Sequence, residues 1–140
     1  MNKILGGLIV LLALVVGIAP IFTDCQSQGR SLTTDTGKTV PMKCHWTGIA
    51  EIGVALPMLL VGVLTVTSKR KETLRSLAAF GVLLGAMVIL FPTYLIGVCP
   101  NNMMLCNMIM KPILISAGVL AIGLSLIVGL RTGRGGEPVA

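Results

Sequence analysis

Residues 77–98 read LAAFGVLLGAMVILFPTYLIGV, twenty-two positions without a charged side chain. About 20 such residues in helical form cover the roughly 30 Å of hydrocarbon in a bilayer. Three further stretches have the same character, at about 4–21, 49–67 and 113–130. With no water to satisfy the backbone, each span is expected to be a helix. Transmembrane strands would alternate apolar and polar positions instead. The reading is therefore an all-α, polytopic membrane protein, one domain over residues 1–140 with four helices arranged as two hairpins.

Composition agrees with that reading. Of 140 residues 54% are hydrophobic and 11% charged, and the mean hydropathy is +0.94. Soluble domains carry about a quarter charged residues, so a soluble enzyme is excluded. So much apolar surface is also foreign to disordered chains. The first apolar run follows Lys3 but ends Gly17-Ile18-Ala19-Pro20-Ile21 without an A-x-A site, so an uncleaved helix is expected rather than a removed signal.

Orientation follows from Lys and Arg. One side collects Lys3, Lys69, Arg70, Lys71, Arg75, Arg131 and Arg134, and the other Arg30, Lys38, Lys43 and Lys111. The dense run Ser68–Arg75 lies in a short loop, where the positive-inside rule is strongest. Both termini are expected in the cytoplasm, and the loops at about 23–46 and 99–111 outside the cytoplasmic membrane. The net charge of +6 then marks topology. Anionic lipid is the expected partner of the basic turn, and nucleic acid is not.

All four cysteines fall in the two outer loops: Cys25 and Cys44 in the first, Cys99 and Cys106 in the second. An even number on an oxidising side points to a disulfide-braced cap. Four cysteines permit three connectivities. Local pairing, Cys25–Cys44 and Cys99–Cys106, is preferred. The hairpins also look related. Ala19-Pro20, Cys25 and Met42-Lys43-Cys44-His45 in the first parallel Phe91-Pro92, Cys99 and Met104-Leu105-Cys106-Asn107 in the second. Such internal repeats are common in membrane proteins.

The strings Met42-Lys43-Cys44-His45-Trp46-Thr47 with Ala50-Glu51, and Pro92 to Cys99 with Met104-Leu105-Cys106, together resemble the DUF4418 family of small prokaryotic four-helix membrane proteins. The resemblance covers nearly the whole chain. It carries no biochemical activity. Members sometimes lie beside ABC-type permease genes, which implies a transport-accessory role. Many members place His after the second paired cysteine, where this chain has Asn107. That departure counts against a symmetric two-histidine metal site.

The leading functional reading is a non-enzymatic accessory or interaction subunit, with a transporter or a second copy of the chain as partner. No cofactor is expected on that reading. Two rivals stay open. Soft thiolate and thioether ligands select Cu(I), and Met42, His45, Glu51, Met103 and Met104 with the cysteines form a candidate rim for copper or another soft metal. A thiol-redox protein is the other rival, although no C-x-x-C occurs. Glu51, near the start of the second span, also suits the positive end of a helix. Trp46 and Tyr94 fit an interfacial aromatic belt. Pro57 and Pro92 are candidate kinks. Gly81 and Gly85, a G-x-x-x-G match, and Gly118 are candidate packing positions. No Walker A, H-E-x-x-H, G-x-S-x-G or GxGxxG motif is present. The polar end 131–138 is expected to be mobile.

Overall fold

The computed structural model describes residues 2–26 and 29–134. Four helices run antiparallel: α1 (Asn2–Thr23), α2 (Lys43–Thr67), α3 (Lys71–Leu90) and α4 (Lys111–Arg134). One wide π turn, Phe91–Leu95, prolongs α3, and another, Cys106–Met110, leads into α4. All four helices are long and apolar enough to cross a bilayer, as fits a multi-pass membrane protein. The architecture is all-α.

Each helix buries one narrow face. Gly6, Ile9, Ala13, Val16 and Pro20 line α1, and Met110, Leu114, Ala117, Ala121, Ser125 and Val128 line the last helix and its leading turn. Steps of three and four residues keep such positions on one side of a helix. Large side chains on the other faces stay exposed, among them Leu11, Phe22, Leu56, Leu60, Leu83 and Leu120. In water such surface would drive aggregation, whereas hydrocarbon solvates it without cost.

The strongest packing lies within hairpins, α1 on α2 and α3 on α4. Glycines set the second approach. A Cβ on Gly85 would meet Ile122 Cγ1 at 2.8 Å and the Gly118 carbonyl oxygen at 3.0 Å. A Cβ on Gly118 would meet Ile89 Cγ1 at 2.6 Å and the Gly85 oxygen at 2.8 Å. Gly81 faces Ser125 on the same helix pair. The missing side chains let the two backbones touch, the close approach that membrane helices use in place of hydrophobic collapse.

Helix boundaries differ from the sequence reading, three of them with consequences for the loops. Helix α2 begins at Lys43, six residues before the expected 49, so Cys44, His45 and Trp46 are helical rather than loop residues. Hydropathy does not register this turn because it is polar, yet its Cys44 and Thr47 continue the buried stripe of Gly48, Glu51 and Ala55. Helix α3 likewise takes in the charged stretch from Lys71, leaving only Ser68–Arg70 as the turn. Glu72 in its first turn suits the helix dipole. Helix α4 continues through Arg131, Thr132 and Gly133, which were expected in a mobile tail. Residues 135–138 of that tail lie outside the described residues.

The first loop carries a small antiparallel ribbon, β1 (Leu32–Thr33) on β2 (Thr39–Val40), which the sequence reading did not foresee. Thr34 N–H donates to the Lys38 oxygen at 2.9 Å, and Gly37, at φ +76°, closes the turn. An Asp-Thr-Gly connection between β-branched residues, with glycine in the left-handed position, is the signal for this hairpin.

Candidate metal centre

Both long connections lie at one end of the bundle, and each delivers two thiols. Cys25 lies two residues past the end of α1, where its carbonyl accepts from Arg30 N–H at 3.0 Å. Cys44 sits in the first turn of α2 and is fully buried. Cys106 opens the wide turn before α4, which Met104 O anchors by accepting from Asn107 and Met108 N–H, both at 3.0 Å.

Cys99 depends on a glycine. Gly97 N–H reaches back to the Phe91 oxygen at 3.0 Å, and φ of +78° at Gly97 reverses the chain after α3. That left-handed geometry costs glycine nothing. The Gly97 oxygen then accepts from Thr47 Oγ1 at 2.7 Å, tying this corner to α2. Cys99 follows two residues later, pointing into the same space as the other three.

The four Sγ atoms lie within 4.8 Å of one another. Cys25 is 3.4 Å from Cys106, Cys44 is 3.6 Å from Cys99, and Cys25 is 4.0 Å from Cys99. No S–S bond joins them in the structure, and all four thiols are buried. The Cys25–Cys106 and Cys44–Cys99 contacts run between hairpins, and Cys25 also interacts with Cys44, its partner in the local pairing preferred from sequence. Four sulfurs about 2.3 Å from a central tetrahedral ion would sit about 3.8 Å apart. The observed separations bracket that edge length, so the set fits a single four-coordinate ion without rebuilding the backbone.

Electrostatics add a condition. Burial, aided by Cys106 and Cys99 and opposed by a hydrogen bond with Cys44, pushes the Cys25 thiol up to about 12. This sulfur therefore holds its proton at neutral pH, and any metal ion bound there would have to displace it. Thiolates bind soft ions such as Zn(II) and Cu(I), whereas Mg(II) and Ca(II) prefer oxygen.

The other residues singled out from sequence scatter around the thiols. Met42 Sδ lies 3.9 Å from Cys99 Sγ. Met42 and Met104, with Leu32, Lys43, Cys99, Pro100 and Asn101, line a cavity of about 310 Å³. Met103 is 83% exposed and does not line it. His45 turns to Asp24 instead, with Nδ1 2.6 Å from Oδ2. Sequence reasoning missed Asp24. Its signal was adjacency, since Asp24 precedes Cys25 as His45 follows Cys44.

Glu51 lies two helical turns, or about 10 Å along the axis, from Cys44 on the same face. It is fully buried, and neither carboxylate oxygen has a hydrogen-bond partner among the described residues. It is not part of the thiol cluster.

The model of the family described as Domain of unknown function (DUF4418) matches residues 4–130. No curated protein and no solved structure matches the chain. The chain belongs to the DUF4418 family.

Proposed function

We propose that this DUF4418-family chain is a membrane protein that holds one thiophilic metal ion in a tetrathiolate centre formed by Cys25, Cys44, Cys99 and Cys106. The observation that carries this reading is the convergence of four buried Sγ atoms within 4.8 Å. Four protein ligands leave no open coordination position. Closed sites of this kind hold an ion rather than activate water or substrate. The role is non-enzymatic.

The chain sits in the cytoplasmic membrane with both termini and the Ser68–Arg70 turn inside. The excess of Lys and Arg at that end supports this orientation. An ion-holding subunit also suits an accessory role in a transport system, the role that the family resemblance implies. A Ser68→Cys variant should resist a membrane-impermeant thiol reagent added to intact cells. Labelling from outside would reverse the topology.

Cadmium tests the centre directly. The chain, purified in detergent under reducing conditions, should bind one Cd(II), show thiolate-to-metal charge-transfer absorption, and lose alkylation at all four cysteines. Thiols that remain open to alkylation with Cd(II) present would refute the centre.

A second reading is thiol redox, favoured by the short Cys25–Cys106 and Cys44–Cys99 separations. Non-reducing peptide mapping would then find two disulfides with that connectivity and no metal uptake before reduction.

A further inference from the structure

We propose that the ion is monovalent copper, and that it reaches the tetrathiolate through the cavity walled by Met42 and Met104. The inference rests on the tetrathiolate reading and names its ligand and its access path.

Only one thiol offers a way in. Cys99 retains 8% of its surface, against 2% for Cys25 and none for Cys44 and Cys106. The same Cys99 lines the cavity of about 310 Å³. An incoming ion therefore meets Cys99 first and the deeper sulfurs afterwards.

The wall in front of Cys99 is chosen in its chemistry. The Met42 thioether stands 3.9 Å from the Cys99 thiol, close enough for one ion to touch both sulfurs. Met104 supplies a second thioether to the same cavity. Thioethers are soft neutral donors that select Cu(I) and serve Zn(II) poorly. A path made of them discriminates before the ion reaches the thiols, which would accept either metal.

Charge points the same way. The remaining lining is apolar except for Asn101 and Lys43. The Lys43 ammonium repels a divalent ion twice as strongly as a monovalent one at any dielectric. Desolvation in an apolar cavity rises with the square of the charge, which again favours the singly charged ion. Copper keeps its oxidation state throughout. Each thiol that bonds it releases its proton to water.

The test is transfer of Cu(I) from a chromogenic bicinchoninate complex to the purified, reduced protein without oxygen, beside equilibrium binding of Cd(II). The wild-type chain should withdraw Cu(I) at a rate at least about tenfold above that of a Met42→Leu/Met104→Leu double variant. Leucine approximates the volume of methionine, so Cd(II) binding should be the same in both. A Met103→Leu variant should transfer copper at the wild-type rate. Equal rates for the double variant and wild type would overturn the path, as would equal slowing by Met103→Leu. Cd(II) binding without any copper uptake would overturn copper while leaving the tetrathiolate. Failure to bind either metal would remove the tetrathiolate itself.

Discussion

The Sγ atoms of Cys25 and Cys106 lie 3.4 Å apart although 81 residues separate them. Their meeting requires the end of α1 and the start of α4 to be neighbours. If the contact serves a shared ion, Cys25→Ser and Cys106→Ser should each weaken Cd(II) binding by more than about a hundredfold. Even outer-shell changes cost 10–100-fold at metal sites. Isothermal titration decides this, and undiminished affinity in either variant would remove that sulfur from the site.

Acid should strip the metal. The Cys25 thiol, raised by burial to about 12, is protonated across the neutral range and must lose its proton to ligate. Apparent affinity should therefore rise with pH, about tenfold per unit for each proton displaced. The metal-free protein should behave oppositely at high pH. A thiol whose folded value lies above its ordinary 9.0 stabilises the fold below that value. This contribution is lost as pH rises from about 9 to about 12. Thermal unfolding of the chelated protein across that window checks the sign.

Thr47→Val removes the hydroxyl that donates to the Gly97 oxygen and leaves the shape nearly unchanged. The loss should be about 1 kcal/mol of stability. Because Gly97 positions Cys99, metal affinity should fall as well. Stability lost with affinity intact would show that Cys99 is held independently of this bond.

The α3–α4 crossing should not tolerate a methyl group. Gly118→Ala places a carbon 2.8 Å from the Gly85 carbonyl oxygen, a backbone atom that cannot swing away. Overpacking of this kind costs about 1–3 kcal/mol. Gly123→Ala, five residues further along the same helix, meets nothing within 4 Å and should be neutral or stabilising. Thermal unfolding in detergent separates the two.

Glu51→Leu should raise stability. A buried polar group with no hydrogen bond costs about 1–3 kcal/mol, and both oxygens of Glu51 lack a partner among the described residues. A destabilised Glu51→Leu protein would mean that the carboxyl is held by something the fold alone does not supply, such as a bound cation.

The four spans were legible because hydropathy over twenty residues is a long, redundant signal. The helix ends were not. Lys43 to Thr47 is too polar to register, and its place in α2 shows only through the three-and-four spacing of Cys44, Thr47 and Glu51. The cysteines were legible as a group but not as a cluster. Cys25 and Cys44 looked paired because they are near in sequence, whereas helix packing brings Cys99 and Cys106 within 4.8 Å of them as well. Met42 and Met103 are equivalent on composition. Only the fold puts one beside Cys99 and the other in the open.

Each hairpin supplies two sulfurs, and neither half alone can complete a four-coordinate site. Contact between the hairpins is thinner than contact within them. An ion shared across that seam would act as a rivet between halves that are synthesised one after the other. Metal supply would then set how much of the newly inserted chain survives the membrane proteases, since an unriveted bundle exposes the seam between its two hairpins.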